Sequence, residues 1–346
     1  MEFNPLASLA LTAALFCIPV TAFASELPGD PCTTENKVVA LGGGSIKCTG
    51  GTWQPSQETP GGGQPGGSQS NSTIKKANNF RTVGTALSQA TFSSTDQQVA
   101  DVTAVRLSNG NVKLFVYVAN QFIRSATSTN KNGTSFVADP TSILNGTAAG
   151  QPRAVSLGGN SMRLFYLEGG AINAAISNDG GVTFTKEGPV ITGAEAGFEP
   201  GGLSVITQGG GYRGYFSNLE KPGVRAERIM RTATSTDMIH WTMGPVITGS
   251  AGTITDGGSH PFAVIDKKGK IALYYAGDRG GFYGILVSTS KNGVSFSGEK
   301  SVITGGGDPD ILPAAKGTAL LYYGADLGSE LGFGIKVAKS TGKVVP

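Results

Sequence analysis

The sequence predicts an all-β chain built as a ring of repeats, and three observations predict it. The first is one pattern that occurs five times: a polar residue usually followed by Pro, an apolar run, a Gly-containing turn, and a second apolar run rich in aromatics. The copies begin at Asp101, Gln151, Glu199, His260 and Asp308, with starts 50, 48, 61 and 48 residues apart. The second is a shared continuation after each of the first four copies. A strand-like segment and a polar turn lead to an aromatic (Phe136, Phe184, Trp241, Phe296), and three closely similar endings come next, GPVITG at 188–193 and 244–249 and KSVITG at 300–305. The third is composition: 53 glycines in 346 residues and only 15% charged residues suit many tight turns between short strands. Four short strands repeated about every 50 residues make the blade of a β-propeller. The expectation is therefore a five-bladed β-propeller over residues 77–346.

The fifth copy is short of one strand. After FGIKVAKS at 333–340 the chain reads TGKVVP, with no aromatic and no VITG ending. The segment FRTVGTAL at 80–87 precedes the first copy and can supply the missing strand. Closing the last blade with an N-terminal strand leaves no exposed sheet edge.

The residues before the ring divide into three. Residues 1–24 read as a secretory signal: positions 6–23 are almost wholly apolar, and Ala22-Phe23-Ala24 fits cleavage before Ser25. An uncleaved membrane anchor is the alternative reading of this segment. No later stretch is apolar enough to span a bilayer, so the mature chain is expected to have no membrane span. Removal of the signal, with Cys17, leaves Cys32 and Cys48, an even count that implies a disulfide in an exported chain. It would tie together a small β module at 25–54 and stabilise it by about 3 kcal/mol. Residues 55–76 are rich in Gly, Pro, Ser and Gln and read as a flexible linker. Together, 25–76 suggest attachment to a cell surface. The ending CTGGTW resembles short cysteine modules of bacterial pilus-type surface proteins.

Residues 177–184, SNDGGVTF, match the pattern S-x-D-x-G-x-T-W/F, in which the Asp caps a tight turn and the aromatic pins it to the blade. Asp179 is accordingly expected to be structural, as is His240 in the equivalent turn of the third copy. With the D-P-x-x-V…Y-Y halves, this motif makes the region 101–340 resemble the sialidase-like Asp-box superfamily and the five-bladed glycosidases of the arabinanase–xylosidase–invertase type. The resemblance implies a secreted bacterial propeller that acts on or binds carbohydrate. In those glycosidases the essential set is two Asp and one Glu on different blades.

In a propeller the innermost strands line the axis, so equivalent residues form a ring. Aligned by their starts, the copies place Asp101, Gln151, Glu199, His260 and Asp308 in one ring, and Thr103, Arg153, Gly201, Phe262 and Asp310 two residues on. Glycoside hydrolysis needs one protonated and one ionised carboxyl group. Glu199 is the candidate general acid, and Asp101 or Asp308 the base. Arg153, Gln151, His260 and Asp310 are candidate substrate-binding residues, and Glu168, Asp278 and Arg279 a candidate rim. Two other readings stay open: the same residues cap inner strands, or they hold a ligand or a channel ion without catalysis. The net charge of +3 and the lack of basic runs argue against nucleic acid. No zinc-ligand spacing, P-loop or G-x-S-x-G motif is present, so no resident cofactor or metal is expected.

Overall fold

The computed structural model describes residues 38–41, 44–50, 52–56, 77 and 80–345, except 95–97, 120, 145–148, 219–228, 250–251, 254–257, 280–281 and 315–316. The signal segment, residues 57–76 of the linker and Cys32 lie outside the described residues, and so does the expected disulfide, while Pro55 and Ser56 end a strand of the module. Of the module, three strands are described, Val38–Leu41, Gly44–Thr49 and Thr52–Ser56, forming an antiparallel sheet in that order.

Residues 80–340 form five four-stranded antiparallel sheets. Blade 1 runs Val99–Arg106, Val112–Val118, Phe122–Ser128, Phe136–Ser142; blade 2 runs Gly150–Gly158, Ser161–Glu168, Ala171–Ser177, Thr185–Ile191. Blade 3 runs Pro200–Gln208, Gly211–Asn218, Met230–Ser235, Thr242–Val246; blade 4 runs Ser259–Ile265, Ile271–Arg279, Phe282–Ser290, Ser297–Thr304. Blade 5 takes three strands from the C-terminal region, Gly306–Pro313, Ala319–Asp326 and Phe333–Ser340. Its fourth strand is Phe80–Leu87, in the register Ile335↔Leu87 to Ser340↔Phe80, as the short fifth copy requires. The first strand of each blade contacts that of the next, and blade 5 returns to blade 1.

The core is distributed between the blades rather than inside one layer. Among the described residues there are five buried apolar clusters, one at each junction. At the closure, Leu87 and Ile335 of blade 5 pack with Val102 and Leu114 of blade 1. Each junction also carries an aromatic pair. Phe184 of blade 2 meets Phe115 of blade 1, Trp241 of blade 3 meets Phe165 of blade 2, Phe296 of blade 4 meets Tyr215 of blade 3, and Phe136 of blade 1 meets Tyr322 of blade 5. The fifth pair is Phe80 against Tyr274 of blade 4, centroids 6.1 Å apart and nearly perpendicular. The closing strand thus restores the aromatic that the fifth copy lacks. Edge-to-face pairs of this kind contribute about 0.5–1.5 kcal/mol beyond area burial.

The turns before these aromatics are held by side chains. In blade 2 the Asp179 carboxylate accepts from the amides of Val182 and Thr183 and from the hydroxyls of Ser177 and Thr183. Desolvation raises this carboxyl, but those hydrogen bonds outweigh it and hold it well below the usual range. In blade 4, Asn292 takes the same place, accepting from Val294 and Ser295 amides. Helix among the described residues is short, as at Gln89–Phe92 and Gly193–Ala196. No helix among them is long and apolar enough to cross a membrane.

Candidate functional site

All five inner strands carry one extra residue at the same register position. The pairing steps from Ala100↔Tyr117 to Thr103↔Phe115 in blade 1, and from Gly150↔Leu167 to Arg153↔Phe165 in blade 2. It steps from Gly201↔Ser217 to Ser204↔Tyr215 in blade 3, from Ser259↔Ala276 to Phe262↔Tyr274 in blade 4, and from Gly307↔Gly324 to Asp310↔Tyr322 in blade 5. Such a bulge re-aims its side chain and removes an amide from the ladder, which is why Pro152, Pro261 and Pro309 are tolerated there.

The first bulge residue is left-handed in every blade: Asp101 (φ 53°), Gln151 (46°), Gly202 (68°), His260 (49°) and Asp308 (47°). Non-glycine residues rarely hold this conformation, and Asp, Asn and His are those that tolerate it best. The alignment by sequence is corrected in one blade. Glu199 is not the ring residue of blade 3; Gly202 holds that place, and Ser204 rather than Gly201 holds the place two residues on. Glu199 precedes the inner strand and is half-buried. A Cβ on Gly170 would stand 3.2 Å from its Oε1. The Gly169–Gly170 turn lies at the end of blade 2 where the inner strand begins, so Glu199 stays at the same face as the ring.

Four of the sequence-predicted residues converge. His260 Nδ1 lies 3.2 Å from Asp308 Oδ1, and its Nε2 lies 3.8 Å from Asp101 Oδ1 and 3.4 Å from Gln151 Nε2. His260 is 7% exposed, and the two Asp side chains are each 18% exposed. Ligand atoms of Asp101, His260 and Asp308 all lie within 4.8 Å of one another. Burial and the nearby Asp308 charge push the Asp101 carboxyl up to about 6, against the opposing pull of His260 and Arg153. Gln151 reaches across to blade 3, where its Oε1 would be 2.0 Å from a Cβ on Gly201. Only glycine leaves that carboxamide room.

Two residues further along, the side chains bind blade to blade. Thr103 Oγ1 accepts from the Ala154 amide (3.0 Å), and Ser204 Oγ accepts from the Ala263 amide (3.0 Å). Asp310 does the same toward blade 1, accepting from the Ala104 amide and from Thr103 Oγ1 at 2.8 Å. Arg153 donates to the Val102 carbonyl at 2.8 Å. Burial raises Asp310 to about 7, although Arg153 and these hydrogen bonds act to lower it. Asp310 and Arg153 therefore sit within the protein, below the ring.

Glu168 pairs with Lys186 at 3.2 Å, and the side chains of Asp278 and Arg279 lie outside the described ones. His240 is exposed and bonds Asp237 at 2.7 Å in its turn. A groove of about 400 Å³ lined by Ile143, Leu144, Phe184 and Lys186 lies between the outer parts of blades 1 and 2, away from the ring. Sequence reasoning missed the bulge itself. Its signal was present as the recurring polar-Pro pair, but Gly202-Leu203 carries no such mark.

No protein-family model and no curated protein matches this chain. Solved structures match it by shape. An endo-1,4-β-xylanase from Bacteroides thetaiotaomicron aligns at 12% identity and TM-score 0.54, over 71% of this chain and 95% of its own. An N-acetylgalactosamine deacetylase from F. plautii, in complex with blood group B trisaccharide, aligns at 14% identity and TM-score 0.55, over 78% and 96%. An endo-arabinase from Bacteroides thetaiotaomicron aligns at 15% identity and TM-score 0.53, over 69% and 93%. At these identities the likeness is one of fold: the chain is a five-bladed β-propeller whose structural neighbours are carbohydrate-active proteins.

Proposed function

We propose that this chain is an exported, carbohydrate-active propeller that takes a saccharide over the face where Asp101, Gln151, His260 and Asp308 converge. One observation carries the reading. Four side chains of three chemical types occupy one strained backbone position around one axis. Strain of this kind, about 1–3 kcal/mol per residue, is retained where the surroundings over-determine it, and it clusters at binding and catalytic sites. The roles assigned are Asp101 as general base and Glu199 as general acid, with Gln151 and His260 holding sugar hydroxyls. A base with its pKa near 6 is ionised at neutral pH yet still takes a proton readily. Asp308, whose ligand oxygen gathers with that of Asp101 at His260, is the alternative base.

The test is release of reducing sugar from arabinan, xylan, fructan and sialoside substrates. One of them is expected to be cleaved, with Asp101→Asn and Glu199→Gln each slower by about 100-fold or more. Inactivity on every substrate, or full activity in both variants, contradicts the catalytic reading. The second reading is a non-catalytic adhesin or display protein, secreted and attached through residues 25–76. The neutral Gln151 in the ring favours it. Deletion of 25–76 should then release the protein from the cell surface, and surface retention would count against it.

A further inference from the structure

The charges around the axis do not balance. Asp101, Asp308 and Asp310 face one guanidinium, Arg153, and one imidazole, His260, all mostly buried. Three carboxyl groups thus share one guanidinium and one imidazole in a mostly buried setting, an arrangement that burial penalises. Below the ring, two polar atoms on almost fully buried side chains have no hydrogen-bond partner: Asp310 Oδ1, on a residue 1% exposed, and Arg153 Nε, on a residue 3% exposed. Such atoms usually answer to an ion or an ordered water.

We propose that Asp101, His260 and Asp308 bind a divalent transition-metal cation, with Zn²⁺ the best match. Their ligand atoms already gather within 4.8 Å, from blades 1, 4 and 5. One imidazole nitrogen and two carboxylate oxygens suit a first-row metal, which takes such ligands at about 2.0–2.2 Å and leaves a fourth position open. Ca²⁺ fits less well, because it requires about six to eight oxygens. A divalent cation there would offset the Asp101 and Asp308 carboxyl groups and tie three blades at the axis. Gln151, at 3.4 Å from His260, stands beside the three residues. A bound cation would take the place of the roles given above to Asp101 and His260, and its test contains no sugar, so the two readings fail separately.

The chelator-stripped, oxidised full-length chain is titrated with Zn²⁺ alone, by calorimetry and by metal analysis after dialysis. One equivalent per chain is expected, with a rise in Tm of about 4 °C or more at saturation. The Asp101→Asn/Asp308→Asn double variant should bind about 100-fold or more weakly, while His240→Ala, in an exposed turn, binds as the parent does. No saturable binding by the parent chain, or unchanged affinity in the double variant, overturns the proposal. Should the double variant fail to fold, anomalous diffraction from Zn²⁺-soaked crystals of the parent decides. A peak between the three residues supports the site, and a peak elsewhere only, or none, overturns it.

Discussion

Gln151 shows how one side chain constrains another across the ring. It lies in blade 2, yet its carboxamide occupies the space a Cβ would take on Gly201 of blade 3. Gly201→Ala is expected to expel Gln151 from its place and destabilise the fold by about 1–3 kcal/mol. Gly84→Ala, with open space around its Cβ, should change stability by less than about 0.5 kcal/mol. Chemical denaturation of both variants checks this. A Gln151→Ala change added to Gly201→Ala should recover most of the loss, because the two effects share one contact.

Asp310 gives a pH dependence at the same scale. Its folded pKa near 7 exceeds the ordinary 3.8. From about pH 4 to 7 the native state keeps a proton that the unfolded chain has released, so stability falls as pH rises through that window. Asp101, near 6, adds to the fall over the lower part. In metal-free protein, Asp310→Asn should therefore gain about 1–3 kcal/mol relative to the parent between about pH 5 and pH 8. Urea denaturation at both pH values is the measurement; a constant difference would show that Asp310 is not protonated in the fold. Residues were legible in the sequence where their type was unusual. Asp101, Gln151, His260 and Asp308 were found because polar residues opened apolar strands. Glu199 was misplaced because Glu-Pro imitates Asp-Pro, while the true equivalent, Gly202, has no side chain to announce it.

At the scale of elements, strands and turns were readable and their register was not. Period, Gly turns and aromatics follow from local chemistry. The bulge depends on how two strands pair, which no single strand encodes. The aromatic joints are intermediate: Phe136, Phe184, Trp241 and Phe296 were visible as a series, but Phe80 belongs to it only once the closing strand is in place. Phe80→Ala removes the fifth joint and should cost about 2 kcal/mol, more than Phe80→Tyr, in thermal or urea unfolding. Equal stability of Phe80→Ala and parent would mean the closing strand is held by its backbone alone.

The repeat region is a ring whose last blade is shared between its two ends. Its core is divided among five junctions, and closure buries Leu87 where blade 5 meets blade 1. Ring closure also explains why residues more than 200 positions apart, Asp101 and Asp308, meet at one imidazole. The central claim is that this meeting point takes a saccharide. Equilibrium binding of the full-length chain to a broad glycan array, with the parent and the Gln151→Ala variant measured side by side, tests it most directly. Saturable binding to at least one glycan class, weakened about 10-fold or more in the variant, is the predicted result. Binding to no glycan at all, or binding that the variant leaves unchanged, would contradict the account.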